Sequence, residues 1–164
     1  LNFDSSSIDY AALKQLVGQS VQVKEDIVEQ DPFEHGIRKA LNLGHTVGHA
    51  FESMALAENR PVLHGYAVAW GIVCELYLSH LKVGFPKEKM RQTIQFIKDN
   101  YGVFTFDCKK YDQLYAFMTH DKKNTSGTIN FTLLKDIGDI CINQTADKDT
   151  IFVMLDFYRE CMGI

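Results

Sequence analysis

No stretch of this 164-residue sequence holds enough consecutive apolar residues to span a bilayer. The N-terminus lacks a basic patch followed by an apolar segment, so no secretory signal is read there. There is no Lys/Arg cluster interleaved with aromatics, and the formal net charge of −4 gives no reason to expect a nucleic-acid surface. The four cysteines, Cys74, Cys108, Cys141 and Cys161, contain no C-x-x-C pair. Each lies in an apolar context and is expected to be a reduced, buried thiol. These absences lead us to expect a cytoplasmic protein with neither a membrane nor a nucleic-acid partner. Repeats, low-complexity tracts and long linkers are also missing. The chain begins at Leu1 rather than Met, and we expect it to be part of a longer protein.

What is present is an ordinary globular composition, 46% hydrophobic and 23% charged, with length enough for one domain and a sizeable core. After a lead-in at residues 1–7, with Ser7 or Asp9 as N-cap, a short helix is expected with Ile8, Ala12, Leu13, Leu16 and Val17 on its apolar side. Gly18 is expected to end it and Ser20 to open a second helix. Asp31-Pro32 breaks the pattern. A long helix then runs from about Glu34 to Ala57, another from His64 to about Leu81, and an amphipathic one over Lys87–Asn100 with Met90, Ile94 and Ile97 inward. A short helix follows at Tyr111–Met118. The period then changes to alternation over Thr128–Leu133, with a turn at Gly138-Asp139 and a return strand at Ile140–Ile142. Asp147 or Asp149 caps a final helix carrying Ile151, Leu155 and Tyr158. The fold class predicted is mostly α, a multi-helix domain with one small β-hairpin near the C-terminal end.

One segment concentrates the chemistry: Arg38-Lys39-Ala40-Leu41-Asn42-Leu43-Gly44-His45-Thr46-Val47-Gly48-His49. As one helix it stacks Arg38, Asn42, His45 and His49 on a single stripe, with Glu34 a step further back. Ile37, Ala40, Leu41, Val47 and Phe51 occupy the opposite, buried stripe. Gly44 and Gly48 each cost roughly 1 kcal/mol against Ala in a helix, which suggests a close approach to the backbone there. His45 and His49 form an H-x-x-x-H pair that can bind one metal, although Thr46 stands where the general-base Glu of H-E-x-x-H would be. A catalytic zinc takes three protein ligands, and His64, Glu34 and Glu52 are candidates to complete the set. The plain alternative is a polar helix face. A short loop between antiparallel helices can bring His64, in Leu63-His64-Gly65, to His45, and Gly65 there permits a sharp entry and a close neighbour. Arg38 and Lys24 can hold an anion, and Lys122-Lys123 can close on a phosphate if their loop lies over a cleft. For Lys24 and the lysine pair the commoner reading is a solvated surface. His35 and His80 read as structural or surface residues.

The run Arg38-x-x-Leu41-Asn42-Leu43-Gly44-His45-Thr46-x-Gly48-His49-Ala50, followed by Leu63-His64-Gly65 and Ala67-Val68-Ala69, resembles the C-terminal half of 3-dehydroquinate synthase. Val23-Lys24, Asp31, Glu34-x-Gly36 and Asp121-Lys122-Lys123 extend the resemblance over most of the chain. It implies a helical C-terminal domain, here residues 1–164, whose N-terminal NAD-binding domain is absent from this chain. It also implies NAD and a divalent cation, zinc or cobalt, in the cleft between the two domains, and a homodimer at full length. The implied reaction is that of a carbon–oxygen lyase acting on phosphates: 3-deoxy-D-arabino-heptulosonate 7-phosphate becomes 3-dehydroquinate plus phosphate, in the shikimate route to aromatic amino acids. The resemblance makes His45 and His64 metal ligands and His49 a non-ligand near the phosphate that relays protons. Lys24, Arg38 and Asn42 match substrate positions, Glu34 a supporting carboxylate, and Lys122 or Lys123 a phosphate contact. His49, Lys24 and Asn42 are the residues expected to act in catalysis. The third ligand, a Glu near a catalytic Lys, is expected upstream of Leu1, and Tyr66 stands where the family usually has Glu. Two other expectations compete: a polyol or glycerol dehydrogenase-like C-terminal domain, and a non-catalytic helical interaction module.

Overall fold

A computed structural model describes residues 9–119 and 129–164. The chain divides into two compact units between Leu41 and Asn42. The fold is mostly α with one two-stranded antiparallel hairpin, the class the periodicity predicts.

The first unit is led by α1, Tyr10–Gln30. Asp9 is its N-cap and accepts from the N–H groups of Ala11 and Ala12 at 2.9 and 3.2 Å. The two helices expected here are one. Gly18 costs too little to end a 21-residue helix. Ser20 does not cap; its hydroxyl donates back to the Leu16 carbonyl at 3.0 Å, a bond that forms inside a helix. No residue of α1 is buried, so its expected apolar side is not a core side. Leu16, Val17, Val21 and Val23 are exposed, because the described part of this unit has no second long element to cover them.

The expected helix from Glu34 to Ala57 is also corrected. Ile37–Asn42 is a short 3-10 helix, and α2 begins afresh at His45 and ends at Ala57. Gly44 separates them with φ +79°, a left-handed conformation that interrupts α-helical hydrogen bonding. Arg38 and Asn42 therefore share no continuous helical stripe with His45 and His49. Ile37 is exposed, whereas Ala40, Val47 and Phe51 are buried as expected.

In the second unit α2 packs on α3, His64–Val83. The contact is built on glycines. A Cβ on Gly71 would lie 2.0 Å from the Gly44 carbonyl oxygen, and one on Gly48 would lie 3.0 Å from Ala67 O and Val68 Cα. Gly44 faces Val68 and Ile72 while Gly48 faces Ala67 and Val68, so the helices run antiparallel. The close approach expected at Gly44 and Gly48 is thus made by α3 itself. Gly65, by contrast, has open space around it, and no close neighbour explains it.

α4, Lys87–Tyr101, buries Met90, Ile94 and Ile97. α5 spans Tyr111–Thr119 and α6 spans Lys148–Met162, capped by Asp147, whose carboxylate accepts from Thr150 N–H at 2.8 Å. An aromatic cluster centres the core. Phe51 lies 5.1 Å from Phe104 and 5.2 Å from Tyr158, ring to ring, and the buried Tyr158 hydroxyl bonds both the N–H and the carbonyl of Phe104. Such ring pairs are worth roughly 0.5–1.5 kcal/mol beyond their burial.

The hairpin is β1, Asn130–Asp136, and β2, Asp139–Thr145, paired Phe131 to Gln144 and Leu133 to Cys141. Phe131, Thr132 and Leu133 are all buried rather than alternating, because register irregularities break the pleat between Phe131 and Leu133. The Ser79 hydroxyl accepts from Leu134 N–H at 3.0 Å and ties the hairpin to α3. All four cysteines are free thiols. Cys74 is buried and Cys141 and Cys161 half-buried, but Cys108 is exposed at the start of a 3-10 turn. Among the described residues no helix is long and apolar enough to cross a membrane.

Gly71→Ala is expected to lower stability by at least about 2 kcal/mol, since backbone cannot yield as a side chain does. Gly65→Ala should be neutral or slightly stabilising. Denaturant unfolding of the two variants side by side checks the contrast.

Candidate functional site

The α2–α3 contact gathers three histidines of the second unit. His45 is the first residue of α2, His49 lies one turn on, and His64 is the first residue of α3. Ring centroids are 5.5 Å apart for His45 and His49, 5.4 Å for His45 and His64, and 5.6 Å for His49 and His64. The expected meeting of His45 and His64 across a helical hairpin is found, and His49 completes a near-equilateral triangle with them.

Two rings are oriented through Nδ1. That of His45 lies 3.1 Å from the Leu43 carbonyl oxygen, and that of His64 lies 3.1 Å from Glu52 Oε2. A carbonyl and a carboxylate only accept, so each Nδ1 carries the proton and each Nε2 carries the lone pair in the neutral ring. Glu52, a candidate ligand by sequence, has one carboxylate oxygen on the His64 ring.

The start of α2 has an unusual cap. Gly44 has no side chain to offer, and the carboxylate of Glu75, on α3, takes that place. It accepts from Gly44 N–H at 2.6 Å and from Val47 N–H at 3.2 Å, and it is fully buried. A buried carboxylate is costly unless hydrogen-bonded, and a helix N-terminus supplies both the donors and a favourable field. Thr46 fixes the same turn to the hairpin, its hydroxyl donating to Asn130 O at 3.0 Å. Sequence reasoning missed Glu75. The signal available was a lone carboxylate inside the apolar run Gly71–Leu78.

In the first unit Lys24 is exposed on α1. Glu34 is not helical; it has φ +59°, rare for a residue with a side chain. The loop around it is organised by Asp31, whose carboxylate accepts from His35, Gly36 and Arg38 N–H at 3.0, 2.7 and 3.1 Å. The Arg38 guanidinium donates to Pro32 O at 2.7 Å. Asn42, in the second unit, ends the 3-10 helix and is half-buried. Lys122 and Lys123 lie outside the described residues. His35 is exposed, and the His80 ring closes the end of α3 through Phe85 O at 2.8 Å, in keeping with their structural reading.

A family model for the 3-dehydroquinate synthase C-terminal region matches residues 2–124. The chain belongs to this family. The 3-dehydroquinate synthase of Parabacteroides distasonis is 60% identical over 162 residues, covering 99% of this chain and 46% of that one. That of Leptospira interrogans is 42% identical over 147 residues, covering 87% of this chain and 40% of that one. The chain thus spans less than half the length of these curated relatives. Among solved structures, 2-deoxy-scyllo-inosose synthase complexed with carbaglucose-6-phosphate, NAD+ and Co2+ matches 97% of this chain and 45% of that one, with a TM-score of 0.71 and 19% identity. At that identity the likeness concerns the fold.

The donor chemistry of the histidine cluster can be weighed against a divalent metal. Ring proximity is not convergence of nitrogens: among the described residues no group of three or more His, Cys, Asp or Glu is arranged to hold a metal ion. His45 and His64, with Nδ1–H fixed by acceptors, do suit two positions of an imidazole-binding cation such as zinc or cobalt. They are a partial set, short of the three ligands a catalytic zinc takes.

The Asp31 loop provides a pH test. Hydrogen bonds from backbone N–H groups, that of Gly36 foremost, hold the Asp31 carboxyl below its ordinary value of 3.8. A depressed folded value means that the loop's support is full above the ordinary value and is lost as pH falls through the folded one. In an NMR titration the His35, Gly36 and Arg38 amide signals are expected to move together at acid pH. The Asp31→Asn variant should lack that step.

Proposed function

We propose that this chain is the metal- and substrate-binding part of a 3-dehydroquinate synthase, acting with an NAD-binding N-terminal domain in a homodimeric full-length protein. Its reaction would convert 3-deoxy-D-arabino-heptulosonate 7-phosphate to 3-dehydroquinate and phosphate, and the fragment alone would be inactive. The observation that carries this reading is the gathering of His45, His49 and His64 by α2 and α3 in a chain 60% identical to a 3-dehydroquinate synthase.

When bound, a zinc or cobalt ion would supply Lewis acidity toward a substrate hydroxyl, and NAD would supply the hydride chemistry. His45 and His64 would hold the cation, each through Nε2. His49 takes and returns a proton at its imidazole near the leaving phosphate, a role suited to a ring with two nitrogens that can each donate or accept. Arg38 presents a planar fork to a carboxylate or phosphate, and Lys24 a point charge. Asn42 offers both a donor and an acceptor to substrate hydroxyls. Glu34 is set in place by its left-handed backbone, the kind of local strain that clusters at functional positions. Lys122 and Lys123 add positive charge for the phosphate.

In the full-length protein, His45→Ala is expected to abolish growth rescue of a strain auxotrophic for aromatic amino acids. Arg38→Ala should lower kcat/KM for the heptulosonate phosphate roughly 10–100-fold, the loss of one charge-assisted contact. Phosphate release measures the second effect. Oxidation of glycerol without any phosphate release from the heptulosonate phosphate would overturn the reading in favour of a polyol dehydrogenase.

A further inference from the structure

His64 opens α3 at an exposed position, with 53% of its side chain accessible. A ring so placed would turn freely about χ1 and χ2 and exchange its proton between the two nitrogens. What limits it is Glu52, two turns into α2 and twelve residues earlier in the chain, with Oε2 3.1 Å from Nδ1. The antiparallel glycine contact sets that distance, since Gly48 already rests on Ala67 and Val68. Residue 66, where the family usually has a carboxylate, does not compete for the ring. The Tyr66 ring lies against Trp70 and Tyr101 at 5.9 and 5.4 Å.

We propose that Glu52 is the positioning residue of His64. It accepts from Nδ1–H, fixes the tautomer with the lone pair on Nε2, holds the ring in one orientation, and makes Nε2 a better donor to a cation. The assignment rests on the reading of His45 and His64 as metal ligands. Partners of this kind on a ligating imidazole are worth roughly 10–100-fold in metal affinity. Glu52 acts through His64 and does not itself touch the cation.

The test uses the full-length protein with 15N-labelled histidine, at about pH 8 where an imidazole is ordinarily neutral. In the metal-free protein His64 is expected as the Nδ1–H tautomer, and Glu52→Ala should shift it toward the mixture seen in a free ring. Zn2+ affinity should fall roughly 10–100-fold in Glu52→Ala. Glu52→Gln, whose amide oxygen still accepts from Nδ1–H, should keep the tautomer and recover most of the affinity. An unchanged His64 tautomer in Glu52→Ala would overturn the proposal, as would a tautomer shift with no loss of Zn2+ affinity. A Gln variant that keeps the tautomer yet binds Zn2+ as weakly as the Ala variant would also overturn it, pointing to Glu52 as a direct ligand. His45→Ala separates the two levels. If it leaves Zn2+ affinity intact, the metal reading itself fails. If it removes binding while Glu52→Ala does not, only the positioning role fails.

Discussion

The close approach of α2 to α3 is the constraint on which the rest of the second unit depends. Gly71 gives the Gly44 carbonyl its space, and Gly44 turns the chain with a positive φ so that α2 can begin. Overpacking such a contact costs roughly 1–3 kcal/mol, and here the opposing atom is backbone. Closeness also solves a hydrogen-bonding problem. The first N–H groups of α2 face a neighbouring helix instead of water, and unsatisfied buried donors cost roughly 1–3 kcal/mol each. Glu75 reaches them only because its helix lies so near. The buried carboxylate and the bare helix N-terminus are each costly alone and compensate one another.

That pairing bears on what the start of α2 can bind. Helix N-termini commonly hold phosphates. Here the N–H groups of Gly44 and Val47 are already engaged by an internal anion. The positive end of the helix is offset where His45 stands, which suits a cation near that residue better than an anion. In the first unit Asp31 organises the loop that leads into the 3-10 helix carrying Arg38, through three backbone bonds.

Much of this was legible in the sequence, and the failures have physical causes. α3, α4, α5 and α6 were readable because each carries an apolar stripe bounded by a cap or a glycine turn, and the hairpin because the period changes. The joining of His45 and His64 followed from two helices and a short loop. Two boundaries differ from the sequence expectation, both at glycine. Gly18 reads as a stop, but in an otherwise good helix a glycine costs only roughly 1 kcal/mol. Gly44 reads as tolerated within a helix, where packing against α3 demands a left-handed turn. Sequence shows a glycine's permissiveness but not which φ the neighbours require. Sequence offers Glu52 only as a candidate ligand and gives Glu75 no role, for a related reason. Their partners lie twelve and about thirty residues away along the chain, and only the helix crossing makes them neighbours.

The glycines also explain why the histidines are where they are. In the motif each histidine follows a glycine directly, Gly44-His45 and Gly48-His49, with the pairs four residues apart. A spacing of four keeps Gly44 and Gly48 on one line along the helix, and a step of one residue rotates the next side chain by about 100° around the axis. If the glycines form the seam against α3, His45 and His49 must both stand at its margin, half-buried as observed. From there His64, entering at the start of α3, meets both rings at nearly the same distance. Larger residues in place of the glycines would push α3 outward and part His64 from the other two, even with every imidazole retained. The chemical half of the motif therefore works only through its packing half.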